Sequence, residues 1–247
     1  MQNSTKMPIV SIQRHRINSD GNGVRTLVHS YGCNLSCKWC CNPETRYGNK
    51  FVLSTSKELF HAVKLDDLYF ITTGGGITFS GGEPLLHKDF IKEFSELAHD
   101  YNWKIGVESA FYIDKSLIEE VSSFIDDFYI DIKVMDSEIH KKCTGVSNEK
   151  ILNNIQFLSK IIPEKIHISI PIIPTVNDSE KNLMETISFM KKNKLQNLKL
   201  LPYRNYKKEK YDVMNIPYEL NVYYDEKHFN KLQNIVKKEF KKGEINE

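Results

Sequence analysis

A parallel α/β sheet curled into a partial barrel is the architecture this 247-residue sequence predicts, and three observations predict it. Short apolar, β-branched runs alternate with charged stretches at helical spacing, the signature of repeated βα units. The units number six, short of the eight that close a full barrel, so a partial (β/α)6 barrel of mostly parallel strands is expected. No low-complexity linker interrupts the alternation, and a chain of this length can bury one large core. A single domain over 1–247 follows, with the core barrel over about 20–205 and a C-terminal helical extension over about 206–247.

The elements follow in order. TLVHSY (26–31) is the first strand, and SKELFHAVKL after it carries apolar residues at three-and-four spacing, as a one-faced helix requires. ITFS (77–80) and KIGVES (104–109) are the next strands, separated by the helical KDFIKEFSELAHDY. DKSLIEEVSSFI leads to the fourth strand, FYIDIK (128–133). EKILNNIQFLSK, the strand IHISIPII (166–173), SEKNLMETISFMKKN and the strand LKLLPY (198–203) complete the series.

Parallel α/β barrels gather their chemistry at the carboxyl ends of the strands. The cysteine loop follows the first strand, Gly81, Gly82 and Glu83 the second, Glu108 and Ser109 end the third, Asp131 and Lys133 the fourth, and Pro202, Tyr203 and Arg204 the sixth. In that loop, GCNLSCKWC places Cys33, Cys37 and Cys40 within eight residues. Three ligands are too few to close a tetrahedral zinc site, and no histidine or cysteine pair elsewhere has the spacing to complete one. A cubane iron–sulfur cluster fits better, because three thiolates on three irons leave the fourth iron open to a small molecule. Cys41 is disfavoured as a fourth ligand, since adjacent side chains in a turn point apart, and Cys143 reads as an ordinary reduced thiol.

In GGGITFSGGEP, Gly74 to Gly76 read as a turn. Gly82 and Glu83, directly after a strand, suit a ligand that the backbone approaches closely and whose ammonium the carboxylate meets. Five cysteines are no disulfide framework; three clustered for metal suit a reducing and preferably anaerobic compartment. Neither terminus has an apolar run long enough for a membrane, and MQNSTKMPIV lacks a signal-peptide pattern, so a soluble, cytoplasmic chain is expected. A net charge of +2 makes no case for nucleic acid. The lysine-dense YRNYKKEKY and KLQNIVKKEFKKGE read as solvated helix faces, with docking of an acidic electron donor as the sharper alternative. His15, His29, His61, His87, His99, His167 and His228 show no metal-ligand spacing.

Together these motifs resemble the radical S-adenosylmethionine (radical SAM) superfamily, and within it the activating enzymes of glycyl radical enzymes. DGNGVR (20–25) resembles the family's DGPGIR, CNLSCKWC its cluster motif, GGGITFSGGEP its second motif, and YIDIK with His140 to Asn148 its fourth-strand region; LLPY (200–203) closes the match. The resemblance implies a [4Fe–4S] cluster held by Cys33, Cys37 and Cys40. It implies reductive cleavage of S-adenosylmethionine to methionine and a 5′-deoxyadenosyl radical, which removes hydrogen from a glycine of a partner enzyme. It further implies that Trp39, Cys40 and Cys41 line the cofactor, that Gly82 and Glu83 meet its methionine part, and that Asp131, Ile132, Lys133 and Arg204 contact it. A monovalent cation near Asp131, a flavodoxin or ferredoxin as electron donor, and a monomer that admits another protein's loop belong to the same reading.

The chain departs from the family's pattern at four places. Arg204 stands where LPYH puts histidine, Ser169 replaces an arginine of the fifth strand, Thr175 replaces the glycine after the proline, and ESAFY (108–112) lacks the glycine of E-T-S-G-Y. No cysteine lies between Asn42 and Gly74, where many family members insert a ferredoxin-like segment, so the chain resembles the single-cluster type that activates pyruvate formate-lyase; KWCCNPET is closer to the dehydratase type. Two other functions stay open at this point: a radical SAM enzyme acting on a small molecule or peptide, and a non-catalytic iron–sulfur or zinc protein.

Overall fold

The computed structural model describes residues 5–203, 208–218, 220 and 222–240. The fold is α/β: among the described residues, eight mostly parallel strands make a mixed, unclosed sheet with helices in its connections. The chain divides into two compact units, Met1–Asn34 with Asn42–Tyr129, and Leu35–Cys41 with Ile130–Glu247.

The first unit contains β1 (Lys6–Ile17), β2 (Val24–Ser30), α1 (Glu44–Tyr47), β3 (Val52–Thr55), α2 (Ser56–Val63), α3 (Asp67–Thr73), β4 (Gly76–Gly81), α4 (Lys88–His99), β5 (Lys104–Ser109), α5 (Ile118–Ser122) and the first residues of β6 (Asp127–Asp131). Its strand order is β3-β1-β2-β4-β5. β2, β4 and β5 run parallel, whereas β1 is antiparallel to both β2 and β3. β4 is buried along nearly its whole length, as a parallel strand covered on both faces must be. α2 begins at a capping box in which Thr55 and Glu58 satisfy each other's backbone N–H. α4 turns Phe90, Ile91, Phe94 and Ala98 inward at three-and-four spacing, and Phe94 meets Phe79 of β4 edge-to-face at 5.4 Å. The Arg25 guanidinium of the DGNGVR stretch is fully buried, donating to Asp127 at 3.1 Å and to the carbonyls of Asn22 and Lys104.

The second unit contains the end of β6, α6 (Ser137–Thr144), α7 (Glu149–Leu158), β7 (Ile166–Ile172), α8 (Glu180–Lys192), β8 (Asn197–Pro202), α9 (Lys208–Val213) and α10 (Glu226–Glu239). β7 and β8 are parallel. β7 alternates, burying Ile166, Ile168, Ile170 and Ile172 and leaving the residues between them half-buried. Ile170 and Ile172 join Leu183, Ile187, Phe229 and Leu232 in one apolar core. Asp136 caps α6 through the Ile139 N–H at 2.9 Å.

The six expected strands all occur, within one or two residues of their expected ends. β1 and β3 are additions. The charged run Arg14–Arg16 and two register shifts in the β1–β2 pairing break the period of β1, and β3 is a four-residue strand that runs directly into α2.

Candidate active site

In the first unit, Gly82 is required by backbone packing. Its N–H donates to the Ser30 carbonyl at 3.1 Å, the Glu83 N–H donates to the Gly32 carbonyl at 2.7 Å, and a Cβ on Gly82 would stand 1.9 Å from the Gly32 oxygen. The loop after β4 thus lies backbone to backbone on the loop that leads from β2 into Cys33. The Glu83 carboxylate is turned into the protein, at 0 % exposure. Its Oε1 accepts from the Leu85 N–H at 3.1 Å and the Ser109 hydroxyl at 2.8 Å, and its Oε2 from the Ala110 N–H at 3.0 Å. Asn34 donates to the Tyr112 carbonyl at 2.7 Å, so the loops after β2, β4 and β5 are tied together, with the half-buried Cys33 thiol on the first of them.

In the second unit, the segment Leu35–Cys41 is held by the C-terminal end of α6. The Ser36 N–H donates to the Thr144 carbonyl at 2.7 Å and the Lys38 N–H to the Cys143 carbonyl at 3.0 Å. α6 stops at Gly145, at φ +88°, where a Cβ would approach Ser36 Oγ to 2.3 Å; glycine is required by conformation and by space. Trp39 is buried with Val134, Cys143, Ile173 and Tyr203. Cys37 and Cys40 are half-buried and Cys41 is exposed, and none of the three is in a disulfide. The Tyr211 hydroxyl of α9 donates to the Cys40 carbonyl at 2.9 Å and the Lys210 ammonium to the Cys41 carbonyl at 3.1 Å.

Asp131 ends β6, and its Oδ2 pairs with the Lys133 ammonium at 2.8 Å. Its Oδ1 accepts from Ser169 Oγ, at the position where the family has arginine. The buried Ile132 N–H donates to the Ser169 carbonyl at 3.0 Å, and Asn177 donates to the carbonyls of Lys133 and Pro171 at 2.6 and 2.7 Å. Burial works against the Lys133 charge, but Asp131, with Cys37 and Cys41, outweighs it and raises the pKa above the ordinary lysine range. His140 is pushed the other way, chiefly by burial and further by the Lys133 charge. Its Nδ1 lies 2.7 Å from the Val146 carbonyl, which assigns the ring proton to Nδ1, and the buried Nε2 has no hydrogen-bond partner. Arg204 lies outside the described residues.

Among the described residues no three His, Cys, Asp or Glu side chains form a site for a single metal ion. The donors on offer are reduced thiols, soft ligands suited to an iron–sulfur cluster in which each cysteine takes its own iron. Sequence reasoning missed Lys210 and Tyr211, read as part of a solvated lysine-rich face, and Asn177, a lone amide in a loop. No local pattern marks any of the three.

The family model described as the radical SAM superfamily matches residues 27–187. The chain belongs to this superfamily, whose cofactors are a [4Fe–4S] cluster and S-adenosylmethionine. Within it, the relatives are activating enzymes of glycyl radical enzymes. The 4-hydroxyphenylacetate decarboxylase activating enzyme of Clostridioides difficile (strain 630) is 31% identical, the alignment taking in 87% of this chain and 89% of that one. The (2S)-3-sulfopropanediol dehydratase activating enzyme of Klebsiella oxytoca is 30% identical over 90% of each chain. A solved domain of pyruvate-formate lyase-activating enzyme from Bacteroides vulgatus ATCC 8482 is 29% identical with a TM-score of 0.55, covering 67% of this chain and 95% of that one. The expected class, a partial barrel of mostly parallel strands of the radical SAM type, is therefore the one found. The Clostridioides difficile alignment runs over 281 positions yet includes 87% of this chain, about 215 residues, so about 66 positions face gaps here.

Proposed function

We propose that this chain activates a glycyl radical enzyme, with a pyruvate formate-lyase-like partner as first choice, and that Cys33, Cys37 and Cys40 hold its cluster. The observation that carries the reading is the cysteine loop, whose backbone is fixed by α6 and α9 and which carries the half-buried, reduced thiols of Cys37 and Cys40. When bound, the cluster and S-adenosylmethionine supply a 5′-deoxyadenosyl radical able to remove hydrogen from a glycine α-carbon.

The protein's own part is positioning. Lys133, held protonated beside Asp131, is suited to the cofactor's carboxylate, and Asp131 to a ribose hydroxyl or a monovalent cation. Trp39, Ile132 and Cys41 line the cofactor in this proposal, and Arg204 donates to its adenosyl group. With the Glu83 carboxylate engaged internally, we assign the methionine ammonium to the backbone carbonyls of Gly82 and Glu83, with the side chain as their brace. The family match at 27–187 runs through both units, which supports treating 1–247 as one radical SAM domain.

The partner-level reading rests on two findings. The gaps against the decarboxylase- and dehydratase-type relatives, and the likeness to the pyruvate formate-lyase activase domain, support a single-cluster enzyme. The second reading, a decarboxylase or dehydratase partner, is favoured by the 30–31% identity to activators of such enzymes. A flavodoxin or ferredoxin donor, a monomeric state and the cytoplasm complete the proposal; no described helix is long and apolar enough to cross a membrane. The test is anaerobic reconstitution and reduction with S-adenosylmethionine, with assay of 5′-deoxyadenosine in the native chain and in Cys37→Ala. Electron paramagnetic resonance (EPR) then follows the glycyl radical in each type of partner. Cleavage lost in Cys37→Ala, with a radical in one partner type, is expected; a cluster-loaded native chain that yields no 5′-deoxyadenosine refutes the proposal.

A further inference from the structure

Two cation or hydroxyl donors of α9 reach the cysteine loop from far along the chain. Tyr211 is nearly buried, its ring 4.8 Å from that of Tyr218, and Tyr218 in turn shares a hydroxyl–hydroxyl hydrogen bond with Tyr203. This aromatic group fixes the ring and aims its hydroxyl at the Cys40 carbonyl, 2.9 Å away. One residue earlier, the Lys210 ammonium donates to the Cys41 carbonyl at 3.1 Å. Neither contact involves a thiol, so both residues act through the peptide groups that carry Cys40 and follow it.

We propose that Lys210 and Tyr211 are positioning residues that raise the reduction potential of the cluster; this rests on the assignment of Cys40 as a ligand. A cluster that takes up an electron becomes more negative, and a positive charge or an oriented O–H dipole beside its ligand loop stabilises that form over the oxidised one. Donors to the backbone of a ligand residue also fix the orientation of the ligand itself. The ammonium is exposed to solvent on a surface helix, so its effect is the modest one of a screened charge.

The experiment is a redox titration of the reconstituted full chain followed by EPR of the reduced cluster, in native protein, Lys210→Met, Lys210→Arg and Tyr211→Phe. At a fixed potential near the midpoint, Lys210→Met lowers the reduced-to-oxidised ratio about threefold, or ~28 mV at 59 mV per tenfold for one electron. Lys210→Arg, which keeps charge and donor, restores it, and Tyr211→Phe, which keeps the ring, moves it in the same direction as Lys210→Met. A packing role alone leaves the potential of Lys210→Met unchanged. Native-strength cluster signals with unchanged potentials in both Lys210→Met and Tyr211→Phe overturn the inference and leave the cluster assignment standing. Failure of the native chain to form a [4Fe–4S] cluster overturns that assignment as well.

Discussion

Replacing Glu83 with glutamine exchanges one carboxylate oxygen for an amide nitrogen and asks what this carboxylate does. In the folded chain it receives three donors, the Leu85 N–H, the Ser109 hydroxyl and the Ala110 N–H, with no exposure to water. A glutamine can keep its oxygen toward Leu85 and Ser109, and then its NH2 faces the Ala110 N–H, donor against donor. Leaving that N–H unsatisfied costs about 1–3 kcal/mol, and the two remaining bonds lose their charge assistance at about 1 kcal/mol each. Relief of the buried charge offsets part of this, so a net loss of about 3 kcal/mol is expected. In a domain of this length that corresponds to about 6–12 °C in Tm. The chain has two tryptophans, and Trp103, fully buried, lies in the same unit as Glu83; in a Trp39→Phe background its fluorescence therefore reports the unfolding of this unit in urea. The measurement uses protein without cofactor. Stability within 0.5 kcal/mol of the parent, together with weakened binding of S-adenosylmethionine, would refute the bracing role and return the carboxylate to the ligand.

Three further outcomes follow from a close backbone approach and two buried groups. Gly145→Ala puts a Cβ against Ser36 Oγ at a left-handed φ, costing at least about 1–2 kcal/mol, and faster hydrogen exchange at the Ser36 and Lys38 amides is the readout. His140, whose pKa burial lowers, stays neutral in the folded chain, so as pH falls below about 6.5 the unfolded chain binds a proton the native one refuses. Stability is full above that pH and declines until the folded pKa is passed, and urea midpoints taken between about pH 7.5 and 5 should show a flatter slope in His140→Gln. Asp66→Asn breaks a fully buried carboxylate from Arg14, His15 and Thr26, for which urea unfolding should register a loss of about 3–5 kcal/mol.

The βα periodicity was legible because each of those strands is apolar on a two-residue or continuous pattern and each helix has one buried face; β1 escaped because Arg14, His15 and Arg16 sit on it half or fully exposed. Of the candidate site, the cysteine spacing and the Gly82–Glu83 pair stood out as residue types, since a thiol triplet at this spacing has few uses besides metal or cluster binding. The direction in which Glu83 points did not, because a carboxylate that meets an ammonium and one that ties the loop after β4 to the loop after β5 look alike in sequence. Tyr211 was illegible for another reason: it bonds a residue 171 positions away, and a tyrosine in a lysine-rich run carries no local mark of that partner.

Two of the departures from the family's pattern have one physical account. Thr175 stands where the family has the glycine after proline and Phe111 where it has that of E-T-S-G-Y, and both adopt the left-handed backbone, at φ +65° and +58°. The turn geometry is kept while the residue that adopts it freely is not. Thr175 is exposed, and its N–H donates to Asp178 at 3.0 Å, a bond glycine would retain. A β-branched residue in this region is strained by about 1–2 kcal/mol, and glycine recovers that at about 0.5–1 kcal/mol of extra chain entropy. Thr175→Gly should therefore stabilise the chain by about 0.5–1 kcal/mol in urea. Phe111 is fully buried, edge-to-face on Phe128 at 6.0 Å; deleting such a ring costs about 3–5 kcal/mol, more than the strain it removes. Phe111→Gly should therefore destabilise by about 2–4 kcal/mol despite restoring the family's residue. Opposite signs for the two substitutions are the expected result. A loss of stability in Thr175→Gly would mean that threonine makes a contact worth more than its strain, and the account would fail at that position.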